Sequence, residues 1–532
     1  MAGTQPTNEN VNKGKFDPVL FWSTLLIVSS IIVWGYTNLE TFEKVLSNMH
    51  SWVTVQFRWF FMYLFTASLV FLYYIAFSKY GTMKLGKMTD KPEFSTFSWI
   101  AMLFSVGVGA GYAYWTIGEP LLHWQNTPYL AESGSQAAQS VGIAIGVFHW
   151  GFHAWGIFAL VGIAIAFPAY RYDLPLNITT SLHGILGEKW RDTPLMKFIE
   201  IVTISSTILG ISTVIGLGIQ STKAAFKYLM GLELSNGTLY VFILILTLCF
   251  IASAVSGIKK GIKHLSTLSV YVGFIWLLFI LFSGPTATLL NGMTQATGTY
   301  LQNIVYMSFF TDYPNNGGWL GWWTVFYYMF WAAFAPFSGG FMARISRGRT
   351  LREFILAVTV IPTFVSIIWF SVIGGAGQWA EINNLAPMVT SIKKDFGESI
   401  YLLMSVFDGG YAFGWLVFLS VFIFIVTTAD SASFFASMQM SRGEAEPPAK
   451  IRYIQGLLMG GMAVVMTLGG GLSTYQMMAV MAGLPISILM MFMMFSVYKL
   501  IKKEYVKEQE IKQAQFIEEQ RELIRAEMAA AK

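Results

Sequence analysis

Twelve stretches of this chain are apolar for about twenty residues at a time, the length needed to cross a bilayer's hydrocarbon core. They fall near 19–37, 57–78, 97–117, 141–166, 198–219, 238–258, 265–285, 320–342, 352–374, 410–433, 452–472 and 476–500. Charged residues make up only 12% of the 532 residues, against 55% hydrophobic. A water-facing surface usually needs about twice that charge. The fold class expected is therefore an all-α polytopic membrane protein with twelve transmembrane helices.

The net charge of +5 needs no nucleic acid to explain it, because its distribution follows the spans. Lys79, Lys84, Lys87 and Lys91 follow the second span, Lys259, Lys260 and Lys263 the sixth, and Arg344, Arg347, Arg349 and Arg352 the eighth. Basic loops stay on the cytoplasmic side. Both termini are thus expected in the cytoplasm, with the chain in the cell inner (plasma) membrane. The polar start, residues 1–18, lacks the apolar core of a cleaved signal peptide. Cys249 is the single cysteine, which leaves no intrachain disulfide.

Two apolar segments carry breakers. One runs FSVGVGAG from Phe104 to Gly111, the other FAPFSGG from Phe334 to Gly340. Interrupted spans at corresponding places in two halves point to a transporter's binding site. Spans three to seven and eight to twelve make two sets of five, and an odd number per set gives them opposite topology. The expected organisation is a cytoplasmic tail (1–18), a peripheral helix pair with its loop (19–96), a first repeat (97–285), an amphipathic interfacial connection (286–319), a second repeat (320–500) and a cytoplasmic C-terminal helix (501–532). The last segment mixes acids and bases. It reads as a solvated helix, or as an arm that touches membrane lipid or a neighbouring subunit.

Three constellations carry chemistry. Gly107, Gly109 and Gly111 either allow close helix packing or mark an unwound turn whose free N–H and C=O groups bind a solute or a cation. Tyr114 and Trp115 follow directly and are grouped with them as substrate contacts. Trp150, Trp155 and Phe158 in span four, and Phe330, Trp331 and Phe334 in span eight, are aromatic clusters. Such rings attract a cation by roughly 0.5–2 kcal/mol each when desolvated. Thr427 and Thr428 in span ten offer hard oxygens of the kind Na⁺ takes, beside Asp430. His149 and His153 are spaced like two zinc ligands, but the glutamate of a metalloprotease motif is absent, so packed histidines are expected. No acid/base pair or metal set indicates an enzyme, and a sensor with vestigial transport lacks a soluble signalling domain.

These residues resemble the betaine/carnitine/choline transporter (BCCT) family. The markers are GVGAG from Gly107 with Glu119–Pro120, His149–Trp150 through Trp155, Tyr170–Arg171, Trp323 through Phe337, ARISRGR from Ala343 to Arg349, and VTTADS from Val426 to Ser431. The resemblance implies a LeuT-type core of five-plus-five inverted repeats, homotrimers and import of a small zwitterionic or quaternary-ammonium solute. It implies an aromatic box of the six rings above. It places Na⁺, the coupling ion, at the Thr427 and Thr428 hydroxyls with carbonyls of Ser105, Val108 and Phe424. A second sodium site would involve Thr207 and the Phe337 ring. The family often has Trp where this chain has Tyr328, Phe330 and Phe334, and Tyr where it has Phe158. Na⁺ symport is the expected coupling, with a sodium-independent substrate/product antiporter as the alternative; no other cofactor is expected.

Overall fold

The computed structural model describes residues 16–107, 111–190, 192–256, 262–313, 315–444, 447–469 and 471–531. Its principal helices are α1 (Pro18–Thr37), α2 (Leu39–Phe77), α3 (Thr96–Gly107), α4 (Gly111–Gln125), α5 (Gln136–Trp150), α6 (Phe152–Arg171), α7 (Pro194–Met230) and α8 (Asn236–Ser256). They continue with α9 (Ile262–Ser283), α10 (Thr286–Phe309), α11 (Phe326–Ile345), α12 (Leu351–Trp369), α13 (Gly410–Met440), α14 (Ala449–Leu468) and α15 (Leu472–Ala530). Among the described residues the only extended pairing is an isolated bridge between Lys84 and Thr350.

Local chemistry starts these helices where the sequence changes character. The Asp17 carboxylate accepts from the N–H groups of Val19 and Leu20, and Pro18 occupies the first turn of α1, where a missing N–H costs nothing. Thr350 and Glu353 close a reciprocal capping box on α12. Gly231 ends α7 with φ +68°, the left-handed cap that glycine adopts without a Cβ clash.

Nine helices are long and apolar enough to cross a membrane, among the described residues, and they coincide with nine of the twelve expected spans. The other three behave differently. The span expected at 97–117 is divided between α3 and α4, each too short alone. The one at 265–285 falls on α9, whose stretch Tyr271–Ser283 meets α10 at a bend of 111°. The one at 320–342 begins with a wide turn, Gly321–Val325, and continues as α11.

The break expected at Phe334–Gly340 is not there. Helix α11 runs through Pro336 without interruption. Its small residues serve packing instead. A Cβ on Gly339 would lie 2.9 Å from the backbone N of Gly162, and one on Gly340 would lie 2.0 Å from the Phe435 ring. Gly339 lets α11 and α6 touch backbone to backbone, and Gly340 makes room for the Phe435 ring of α13, the close-packing use of small residues in membranes. A proline is tolerated in such a helix because neighbouring elements hold it in place. Where the chain does break is Gly151, inside the span expected to be continuous at 141–166, which divides α5 from α6.

The interior is built on α5, α6 and α11. Helix α11 packs most extensively against α6 and α15, while α13 lies against α7 and α4 against α5. Of the apolar stretch in α5–α6, 94% is buried within the protein; for α1 it is 28%. Helix α1 accordingly turns Trp22 and Leu26 outward, as a helix solvated by lipid does.

The basic loops meet at one end of the bundle. Lys87 pairs with Asp173 at 3.0 Å, Arg347 with Asp90 at 3.0 Å, and Arg442 with Asp17 at 2.8 Å. Arg171 holds the base of the C-terminal extension of α15 through Glu508 at 2.6 Å, and Tyr172 donates to Glu504 at 2.9 Å. Beyond Glu508 the helix is exposed all round to Ala531. Arg347 counters the burial of Asp90, and the hydrogen-bonded carboxyl lies below its usual range.

Candidate functional site

The break at Gly151 organises the aromatic residues. A Cβ there would lie 2.6 Å from the Val147 carbonyl oxygen and 2.9 Å from the Tyr300 hydroxyl, so only glycine lets the chain pass. The last carbonyls of α5 lose their helical donors at this point, and buried carbonyls need replacements. Trp331 donates its indole N–H to the His149 carbonyl at 2.8 Å. Ser366 donates to the Trp150 carbonyl at 2.8 Å, and its oxygen also meets the Tyr112 hydroxyl at 2.7 Å. The hydrogen bonds that repair the break therefore also seat an aromatic side chain.

The rings follow from this. Trp331 meets Trp150 edge to face with centroids 4.8 Å apart at 79°, and Phe158 at 5.8 Å and 89°. Trp155 is perpendicular to Phe158 at 5.7 Å and stacks on Phe104 at 6.4 Å. Four of the six expected rings, Trp150, Trp155, Phe158 and Trp331, thus form one contiguous cluster. Phe330 adjoins Trp331 at 4.8 Å, and Phe334 follows Phe330 at 5.0 Å along α11. The awkward five-residue step from Trp150 to Trp155 is explained by Gly151: the two tryptophans belong to different helices.

Gly111 opens α4 against this cluster, its missing Cβ 2.6 Å from the far edge of the Trp150 ring. Gly107 is the last residue of α3. Gly109 and Val108 lie outside the described residues. Tyr114 stacks on Phe396 at 5.2 Å. Trp115 packs on Tyr327 at 5.5 Å, and Tyr327 in turn lies 6.2 Å from Trp331. Trp115 therefore sits one ring away from the cluster, and Tyr114, which touches Trp115 at 5.3 Å, sits one ring further out.

The sodium candidates are placed as follows. Thr427 donates its hydroxyl to the carbonyls of Ile423 (2.9 Å) and Phe424 (3.2 Å). Thr428 is buried next to it on α13. Ser105 is in the last turn of α3. Thr207 donates to the Thr203 carbonyl at 2.9 Å, and the Phe337 ring lies between Phe334 and Phe435. Asp430 faces protein, where Ser253 donates to its carboxylate.

One group was noted in the sequence only as a family marker and was not assigned to the site. Glu119 is fully buried on α4. It accepts the Trp150 indole N–H at 2.7 Å and the Tyr327 hydroxyl on one oxygen, and faces His149 Nδ1 at 2.7 Å with the other. His149 Nε2 is paired with the Thr324 hydroxyl at 3.0 Å, and His123 Nε2 lies 3.5 Å from Glu119. Ligand atoms of Glu119, His123 and His149 fall within 4.8 Å of one another, but both His149 nitrogens are already used in hydrogen bonds. His153 turns elsewhere, to Ser308 at 3.0 Å, so the two histidines do not share a site. The signal was present in the sequence: an ionisable residue at the end of an apolar span is a functional pointer by default.

A family model described as "BCCT, betaine/carnitine/choline family transporter" matches residues 19–506. The chain belongs to this family. It is 34% identical over 507 residues to the "Glycine betaine transporter OpuD" of Bacillus subtilis (strain 168), covering 94% of this chain and 97% of that protein. It is 32% identical to the "Glycine betaine transporter" of Acinetobacter baylyi, covering 96% and 77%. It is 30% identical to the "Ectoine/hydroxyectoine transporter" of Virgibacillus pantothenticus, covering 93% and 98%. The crystal structure of MhsT in complex with L-phenylalanine matches with a TM-score of 0.44 at 14% identity, over 74% of this chain and 89% of that one, too loose a likeness to argue from. This BCCT protein is thus a multi-pass membrane transporter and not an enzyme.

Proposed function

We propose that this BCCT transporter imports a small zwitterionic or quaternary-ammonium solute by Na⁺ symport. The observation that carries the reading is the perpendicular contact of Trp331 with both Trp150 and Phe158 at a helix break. Rings set at right angles around one point can present several π faces to a cationic head, with no counter-charge needed in contact with it. The names of the relatives point the same way, two being glycine betaine transporters and one an ectoine/hydroxyectoine transporter. In this reading the Gly-rich segment between α3 and α4 approaches the anionic end of the solute. Na⁺ at Thr427 and Thr428 couples uptake to the membrane potential, about 2.3 kcal/mol per charge per 100 mV. A LeuT-type five-plus-five repeat of twelve spans, a homotrimer, and cytoplasmic termini in the inner membrane complete the proposal.

The rival is a sodium-independent exchanger. Thr427 gives its hydroxyl proton to carbonyls of its own helix, which leaves the oxygen lone pairs free for a cation and is compatible with either coupling. Uptake of labelled glycine betaine into proteoliposomes separates the two. Symport requires an inward Na⁺ gradient, and Thr427→Ala with Thr428→Ala removes the Na⁺ stimulation. Counterflow that proceeds equally in K⁺, or Na⁺ stimulation that survives the double substitution, overturns the ion assignment.

A further inference from the structure

We propose that Glu119 sets the preference of the aromatic box for a cationic head, acting through the indole of Trp150. The inference rests on the reading that this box holds the onium group. Trp150 presents two edges to the protein. Its benzo edge abuts Gly111, and its pyrrole N–H ends on the Glu119 carboxylate at 2.7 Å. Trp331, which reaches the same break from α11, differs in this respect. The Trp331 N–H ends on a backbone carbonyl, a neutral acceptor.

A charged acceptor does two things that a neutral one does not. A hydrogen bond from an indole N–H to a carboxylate is short and strong, and it draws the N–H electron density into the ring, enriching the π face that a cation meets. The carboxylate also places a negative charge directly behind that ring, and such a charge acts over a longer reach in a buried, poorly screened setting. Neither effect attracts an uncharged head of the same shape.

The surrounding network keeps the carboxylate where it must be. The indole N–H can only donate. The Tyr327 hydroxyl donates to the same oxygen, and the other oxygen is paired with His149 Nδ1 at 2.7 Å, so the carboxyl group is held on three sides. Thr324 fixes the far nitrogen of His149. The chain Thr324–His149–Glu119–Trp150 joins the wide turn before α11, helix α5 and helix α4 into one positioning device. It matters more here because Phe158, Phe330 and Phe334 are weaker cation partners than Trp, which leaves Trp150, Trp155 and Trp331 as the strong faces.

Glu119 is thus a positioning residue, and its test needs a readout that general destabilisation leaves alone. Binding of glycine betaine is compared with binding of 3,3-dimethylbutanoate, which has the same carboxylate and a neutral tert-butyl head. The experiment uses purified full-length protein, and the readout is the ratio of the two Kd values. Damage to the fold weakens both ligands together and cancels in the ratio. In the wild type the ratio strongly favours betaine. Glu119→Gln keeps an acceptor for the indole but not its charge, and the ratio falls by about threefold or more. Tyr327→Phe removes a competing donor and keeps the charge, so the ratio holds or rises. A wild type that binds both equally overturns the onium reading of the box itself. A wild type that discriminates, with Glu119→Gln discriminating equally, overturns only the role of Glu119. Should Glu119→Gln not fold, Tyr327→Phe decides: a ratio held or raised supports the proposal, and a fall in the ratio overturns it.

Discussion

Trp331 donates its indole N–H to the carbonyl of His149, so one hydrogen bond of 2.8 Å both caps the broken end of α5 and fixes a wall of the aromatic cluster. Trp331→Phe keeps an aromatic face but leaves that carbonyl buried without its donor. An orphaned buried acceptor costs about 1–3 kcal/mol. The expected result is a lower thermal midpoint together with a raised KM for solute uptake. Thermal shift and transport kinetics on the same preparation check it. An unchanged midpoint would mean that another group or a water serves the carbonyl.

Gly151 makes the break possible, and a single methyl group tests it. In Gly151→Ala the new carbon would stand 2.6 Å from the Val147 carbonyl oxygen, a backbone atom that cannot swing aside. Such overpacking costs about 1–3 kcal/mol, and relief requires α5 and α6 to shift relative to one another. Because Trp150 and Trp155 lie on opposite sides of the break, that shift separates them. Uptake is expected to fall at least tenfold even where folded protein is recovered. Near wild-type kinetics in this variant would remove Gly151 from the account of the site.

Pro336 and Gly339 invite the opposite comparison. Helix α11 passes through Pro336 unbroken, so Pro336→Ala is expected to remain monodisperse with a thermal midpoint at or above that of the wild type. Gly339→Ala forces a carbon to 2.9 Å from the Gly162 backbone and the Val161 side chain, and is expected to lower the midpoint by several degrees. Size-exclusion chromatography and thermal shift distinguish the two. If the proline variant unfolds and the glycine variant does not, the segment owes its shape to the proline after all.

The all-α membrane class could be read from the chain because hydrophobic length alone enforces it, and among the described residues nine spans fall where the apolar runs are. The positions of breaks were harder to read. Gly and Pro in a membrane helix serve close packing as readily as unwinding, and only the neighbour decides which. At Gly339 the neighbour is the Gly162 backbone, so the glycine packs; at Gly151 it is the helix's own Val147 carbonyl, so the helix parts. Nothing local to either glycine distinguishes the cases. Trp150, Trp155, Phe158 and Trp331 stood out in the sequence as aromatic clusters of spans four and eight, and the fold brings these four rings into contact. Glu119 was passed over because its partners, Trp150, His149 and Tyr327, are about 30 residues or more away in the chain, and only the fold brings them to it.

The anchor of the first helix carries a pH signature. Burial works against the charge on Asp17, but hydrogen bonds from Arg442, from the Leu20 N–H and from Lys197 outweigh it and hold the carboxyl below its usual range. Asp17 is 3% exposed, whereas Arg442 is 44% exposed on its side chain, so solvent screens part of the gain. A carboxyl whose folded pKa is depressed adds stability above its unfolded pKa, about 3.9, and loses it as pH falls through the lower folded value. Asp17→Asn keeps an oxygen that can cap α1 and removes only the charge. At pH 7 the variant is therefore expected to be less stable than the wild type by about 1 kcal/mol or less. The gap should close as pH is lowered from about 5 to below the ordinary carboxylate range. Thermal unfolding of both proteins in one buffer series measures this. A gap that persists undiminished at the acid end would show that the aspartate acts through packing and not through its charge.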